Sequence, residues 1–267
     1  MKSYKSILII VASLMVLLWA SCDIDHVSDC CDDSNQDERV TVNEVYKVTV
    51  NHQTAFSLSN LNGNLSIKGT DSDSVVIRVR RIVGSYSTED AEYYMTKFYV
   101  RITEGTTVID CETVYPSNAS NRSFEAHYEI ELPKAMAVQS SLLNGSTSIE
   151  EIHGAVTVSS TNGSVDLTDI RGEVNGSLVN GQINAHVILP DRGRCVLSTV
   201  NGNAQLVIPS TTEASFKAQT VNGSVNVSGF LLDNLSSSNT SVTGVLNGGG
   251  GSVVVSTVNG NVTVSGN

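Results

Sequence analysis

A seven-residue pattern of apolar and polar positions recurs along the chain: apolar-Asn-Gly-x-apolar-x-apolar. It first appears as Leu61-Asn62-Gly63-Asn64-Leu65-Ser66-Ile67 and returns around Asn144, Asn162, Asn180, Asn201, Asn222 and Asn259. From Asn144 onward the spacings are 18, 18, 21, 21 and 37 residues. The last is close to a doubled spacing and predicts one disguised coil near Asn247 and the Gly248–Gly251 run. Two neighbouring units align in full: Ile149-Glu-Glu-Ile-His-Gly-Ala-Val matches Leu167-Thr-Asp-Ile-Arg-Gly-Glu-Val. Each such unit therefore has two turns, one at Asn-Gly and one at Gly154 or Gly172.

Within the motif the alternation has period two, the signature of a strand with one buried face. Three residues after Asn stand Leu65, Val165, Ile183, Ala204, Val225 and Val262; five after stand Ile67, Ile149, Leu167, Leu206, Val227 and Val264. Both rows are expected to point inward. Asn and Gly tolerate positive φ, so each Asn-Gly marks a sharp corner.

Two folds fit. Asn-Gly between alternating runs is a strong hairpin signal and would give an antiparallel meander. A meander does not require every strand after a turn to look alike at a fixed spacing. A parallel β-solenoid does, because like residues of successive coils meet at ~4.8 Å. The pattern therefore predicts an all-β chain, a parallel β-solenoid or β-helix with coils of 18–21 residues. The seven asparagines mark its corners, and their side chains are placed to hydrogen-bond along the stack.

The segment between the first two motifs reads differently. Val75–Ile82, Tyr99–Val114 and Phe124–Leu132 look like strands. Ser87 can cap a short helix in which Ala91, Tyr94, Met95 and Phe98 fall at i, i+3, i+4 and i+7. A solenoid needs its open end covered. Residues 40–139 are accordingly expected to form a strand-rich entry region with one helix that caps the N-terminal end, and residues 140–267 the repeat solenoid.

The N-terminus carries an address. Lys2 and Lys5 precede Ile7–Leu18, an apolar run of 12 residues broken only by Ser13. It is too short for a bilayer, which needs ~20 residues, and fits a signal-peptide core. Ala20-Ser21-Cys22 then resembles a bacterial lipobox, although Trp19 stands where Leu is usual. The resemblance implies cleavage after residue 21 and a lipid-modified Cys22. An ordinary signal peptide is the other reading. Residues 22–39 form an acidic tether, with seven Asp and Glu between residues 23 and 38 and no Lys or Arg. An acidic run after a lipidated Cys resembles the export signals of Gram-negative lipoproteins displayed on the outer face; a plain spacer serves equally. An outer-membrane lipoprotein is the expected location.

Charge narrows the partners. Lys and Arg number 16 against 27 Asp and Glu, for a net charge of −11. That argues against nucleic acid, whose phosphates require clustered basic residues. Cys111 and Cys195 lie in strand-like runs and read as small buried hydrophobes; a disulfide between them is permitted in an exported protein. No Cys/His spacing suggests zinc, and no motif implies a cofactor.

Candidate chemistry is sparse. Residues 140–267 hold eight acids and four bases. Glu151 and Asp169 occupy equivalent positions one coil apart, as a solubilising row more than a carboxylate pair. Every tyrosine beyond the leader lies before residue 130, and the repeats contain only Phe216 and Phe230. Binding hot spots favour Tyr, Trp and Arg, so recognition is expected in the entry region, at Arg78, Arg80, Tyr86 and Tyr93. The alternative is that its arginines only balance nearby acids such as Glu89, Asp90 and Glu92.

The Leu-Asn-Gly-Asn-Leu-Ser-Ile-Lys-Gly opening, the Ile130-Glu-Leu-Pro133 step and the serial Val-Asn-Gly units resemble the bacterial putative-adhesin domain family. The resemblance covers about residues 40–267. It implies a β-solenoid of the cell envelope and no catalytic set to carry over. The reading is a membrane-anchored, non-enzymatic adhesin-like or scaffold protein whose partner is a protein or a glycan. Two other readings are an envelope-stress or assembly accessory protein and a glycan-active β-helix enzyme.

Overall fold

The computed structural model describes residues 38–267. Residues 1–21, expected to be a signal peptide, Cys22 and nearly all of the expected acidic tether lie outside the described residues. The chain opens on β1 (Glu38–Thr49), passes through β2 (Ala55–Asn62) and β3 (Leu65–Thr70), and returns along β4 (Ser74–Ser85) to helix α1 (Thr88–Met95). A hairpin of β5 (Tyr99–Glu104) and β6 (Val108–Val114) leads to β7 (Ser123–Pro133). Two-strand units follow: β8 (Ala137–Asn144) with β9 (Thr147–Glu150), β10 (Val156–Asn162) with β11 (Val165–Ile170), and β12 (Val174–Asn180) with β13 (Ile183–Val187). Next come β14 (Arg194–Asn201) with β15 (Ala204–Ile208), then β16 (Ala214–Gln219) with β17 (Val225–Ser228). A hairpin of β18 (Leu232–Ser237) and β19 (Ser241–Leu246) precedes the last unit, β20 (Gly251–Asn259) with β21 (Val262–Gly266).

The strands form two facing sheets. Sheet A runs β1-β4-β7-β3-β9-β11-β13-β15-β21-β17, and sheet B runs β18-β19-β16-β20-β14-β12-β10-β8-β2-β6-β5. Each unit sends its first strand to sheet B and its second to sheet A, crossing at Asn-Gly. The central pairings are parallel and in register, for example Val156↔Val174 and Asn162↔Asn180. This is the solenoid that the repeat spacing predicts. Antiparallel strands close both ends: β1 and β4 in sheet A, β5 in sheet B, and the β18–β19 hairpin beyond β16.

The turn glycines explain why the repeat is spelled Asn-Gly. Gly163 has φ +131, and a Cβ there would sit 2.1 Å from the Gly145 carbonyl oxygen of the neighbouring coil. Only a residue without a side chain permits the stack to close at that corner. The asparagine amides run in one direction along it. Asn144 donates to Asn62, Asn162 to Asn144, Asn180 to Asn162, Asn201 to Asn180, Asn259 to Asn201 and Asn222 to Asn259, at 2.7–2.9 Å. The series ends where Asn62 donates to the Phe124 carbonyl at 3.2 Å.

The core lies between the sheets. Leu65, Val165, Ile183, Ala204 and Val262 are buried, as are Ile67, Ile149, Leu167, Leu206 and Val264. Val225 and Val227 differ: both are only half-buried. β17 is the last strand of sheet A, so no further coil covers them.

Two further expectations need correction. The 37-residue gap between Asn222 and Asn259 hides no coil; the β18–β19 hairpin fills it, and Asn247 starts the turn into β20 with φ 46. The entry region also supplies coils of its own as well as a cap: β2–β3 and β6–β7 stack in the ladder, and residues 139 and 140 both lie within β8. Cys111 and Cys195 fit their reading as small buried hydrophobes: both are buried free thiols, on β6 and β14, strands that are not neighbours in sheet B. Helix α1 forms as the spacing predicts. Ser87 accepts the Asp90 amide, and Ala91, Met95 and Phe98 are buried.

Candidate binding groove

Strand alternation in β4 buries Ile77 and Val79 and exposes Arg78 and Arg80 on the outer face of sheet A. Register then sets their neighbours. Arg80 stands between Asn43 of β1 and His127 of β7. Arg78 begins a row that continues through Glu129, Ser66, Ser148 and Asp166. These residues line an open groove of ≈ 610 Å³ whose floor includes Leu65, Tyr128 and Thr147.

The groove holds charge of both signs. Arg78 pairs with Glu131 at 2.8 Å, with both side chains exposed. Arg80 is exposed and makes no ion pair among the described residues. His127 Nδ1 accepts the Asn64 amide at 3.1 Å, and its Nε2 faces Glu125 at 3.2 Å. Asp166 accepts from Asn184 at 2.8 Å and from Ser164 at 3.2 Å. Glu129 and Asp166 are three strands apart, ~14 Å at the usual spacing. Glycosidase carboxylate pairs sit at about 5–9.5 Å, so these two do not form one.

Tyr86 and Tyr93 belong to a different patch, around α1. Asp90 receives Arg122 through two hydrogen bonds, Nε at 2.6 Å and Nη2 at 2.8 Å. Ser85 and Tyr86 also donate to Asp90. The Arg122 guanidinium lies 4.2 Å from the Tyr94 ring centroid and 5.3 Å from that of Tyr86. Hydrogen bonds from Arg122 and its positive charge hold the Asp90 carboxyl well below the usual carboxylate range. Lys97 covers Tyr93 at 3.9 Å from the ring centroid. Both tyrosines remain exposed. The structure thus joins Arg78 to Arg80 and keeps Tyr86 and Tyr93 apart from them.

Arg81 is buried, unlike Arg78 and Arg80, and grips Glu44 through Nε at 3.0 Å and Nη2 at 2.7 Å. Of the entry-region arginines, Arg78, Arg81, Arg101 and Arg122 balance acids. Sequence reasoning missed His127, Glu129, Ser66, Ser148 and Asp166. The period-two pattern places each on an outward face, but only strand order reveals that they are neighbours.

The family model described as Toastrack DUF4097 matches residues 35–265. No curated protein matches the chain. Among solved structures, a putative cell adhesion protein from Clostridium sporogenes is 14% identical with a TM-score of 0.48, and the match covers 85% of this chain and 100% of that one. A putative adhesin from Bacteroides fragilis is 8% identical with a TM-score of 0.36, covering 86% of this chain and 98% of the other. One from Parabacteroides merdae is 12% identical with a TM-score of 0.26, covering 84% and 96%. Matched over almost the whole of its two-sheet ladder, the chain belongs to the Toastrack DUF4097 family.

Proposed function

We propose that this chain is a non-catalytic, adhesin-like binding module of the cell envelope, anchored through a lipid on Cys22 in the outer membrane of a Gram-negative bacterium. The sheet A groove takes a hydroxyl-rich partner, a cell-surface glycan. One observation carries this reading: Arg80, which makes no ion pair among the described residues, shares an open groove with serine hydroxyls and the carboxylates of Glu129 and Asp166. A guanidinium donates to sugar oxygens, carboxylates accept from sugar hydroxyls, and serines do both. Without an aromatic platform each contact is weak, which suits many copies acting together on a cell surface.

The site is tested on glycan arrays with the intact chain, comparing wild type with Arg80→Ala and Ser148→Ala. Loss of the same glycan signals in both variants, with unchanged melting, supports the groove. Binding that is unaffected by either change contradicts it, and release of a cleaved sugar would restore the enzyme reading. The anchor is tested by Cys22→Ala, which should move the protein from membranes to the soluble fraction. A variant that still partitions with membranes contradicts the lipid anchor.

A further inference from the structure

The outer face of sheet B carries almost no charge. Across its six adjacent strands β2, β8, β10, β12, β14 and β20, the only charged residue is Arg194. The residue before each corner asparagine points outward, and register stacks these residues in one row: Leu61, Leu143, Thr161, Val179, Val200, Val258 and, just after β16, Val221. Its six apolar members are each 39–66% exposed. Seven strands at the usual spacing make this ridge ~29 Å long. Beside it runs a row of small side chains, Ser59, Ser141, Ser159, Ser177, Ser198 and Ser256. Helix α1 packs on β1 and β4 of sheet A instead, and among the described residues no element covers this face.

We infer that the outer face of sheet B is a self-association surface, and that its occupant is a second copy of this chain. Two observations select that occupant. The whole chain carries a net charge of −11, so two copies repel wherever their acidic surfaces meet; this face lets them approach without opposing like charges. Its area is also sufficient. A face ~29 Å along the ladder and ~23 Å along the strands covers about 650 Å² per copy, or about 1,300 Å² for the pair, within the range of stable interfaces. The ridge fixes the symmetry. A two-fold axis along the strand direction lays one ridge antiparallel on the other, and Val179, the fourth of its seven residues, meets its own counterpart. Sheet A, with its groove, then faces outward on both copies.

The test uses the full chain in two forms. In cell envelopes, with Cys30→Ser and Cys31→Ser in every chain, Val179→Cys should yield a covalent dimer on non-reducing gels that the parent chain and Ser57→Cys, on the same face but off the ridge, do not. For purified protein, light scattering should report a dimer for wild type and a monomer for Val179→Lys combined with Val200→Lys. Both lysines replace exposed side chains, so the variant should keep the wild-type circular dichroism spectrum and a cooperative melt, which separates lost association from lost folding. A monomeric wild type overturns the inference. So does a dimer that survives both lysines, or a Val179→Cys chain that cross-links no better than Ser57→Cys.

Discussion

Asn259 donates its side-chain amide to Asn201 at 2.7 Å across 58 residues of chain, while Asn222, which comes between them in sequence, donates to Asn259 at 2.8 Å from the far side. The last coil is therefore threaded into a gap left between two earlier ones. The N-terminal end has the same construction: β2–β3 lies between β6–β7 and β8–β9. At the C-terminal end the outer coil β16–β17 is laid down first, the antiparallel β18–β19 hairpin follows, and the chain returns to the inner coil β20–β21; at the N-terminal end the order is reversed, with the inner coil β2–β3 first, the antiparallel strands β4 and β5 next and the outer coil β6–β7 last. Neither terminal coil is stabilised by contiguous sequence alone.

The amide series predicts graded costs. Asn162→Ala removes two hydrogen bonds, at 2.7 and 2.8 Å. At ~1 kcal/mol for each net bond, urea denaturation should show a loss of about 2 kcal/mol. Asn222→Ala removes a single such bond at the end of the series and should cost about half as much. Equal, negligible effects would show that the ladder does not contribute to stability.

Corner glycines should be much less tolerant than loop glycines. Gly163→Ala places a Cβ 2.1 Å from the Gly145 carbonyl oxygen, at φ +131. Both strain and steric overlap act there, for a loss of about 3 kcal/mol or more. Gly248 has φ +85 but nothing within 4 Å of its would-be Cβ. Its alanine variant carries backbone strain alone, about 1 kcal/mol. Melting temperatures of the two variants check the contrast.

The Asp90–Arg122 pair should make stability fall in acid. Arg122 lowers the folded-state carboxyl below its unfolded value of ~3.9. A group with a depressed folded pKa contributes stability above its unfolded pKa, and that contribution is lost as pH falls toward the folded one. The stability gap between wild type and Asp90→Asn should therefore be full at pH 7 and shrink below about pH 4. A gap independent of pH would contradict the assignment.

Burial pushes the thiols of Cys111 and Cys195 up to about 12. Thiolate is the reactive form, so neither should alkylate in the native protein at neutral pH, and both should in denaturant. Peptide mapping reads the two sites directly. Native labelling of either would place it outside the core.

Much of this architecture was legible in the sequence, for a physical reason. Gly63, Gly145, Gly163 and their counterparts must be glycine because a carbonyl occupies the space of a side chain, so the corners are spelled out at every coil. Ser87 and the spacing of Ala91, Met95 and Phe98 likewise identify α1. Coil order was not legible, since any strand after Asn-Gly can stack on any other. One signal bears on it. Thr199, Thr257 and Thr220 each precede Val-Asn-Gly and donate to the glycine carbonyl of the next coil, Gly181, Gly202 and Gly260. The three Thr-Val-Asn-Gly coils are the three that lie together. The groove depended on that order as well: Arg78 and Arg80 share a strand and could be paired in advance, whereas Ser66, Glu129 and Ser148 meet only once β3, β7 and β9 are set side by side.

The central claim is that one parallel ladder holds its coils in an order different from their order in the chain. Engineered disulfides test it most directly. Ser198 and Ser256 are register partners on adjacent strands β14 and β20, within the ~4.4–6.8 Å Cα separation that a disulfide spans. Gln219 lies one strand further, opposite Ser256 on β16, ~10 Å from Ser198 at the usual spacing. Ser198→Cys with Ser256→Cys should oxidise to an intramolecular bond with little loss of stability. Ser198→Cys with Gln219→Cys should remain reduced. The opposite result, with the second pair bridged and the first free, would mean that the coils stack in chain order and would contradict the account.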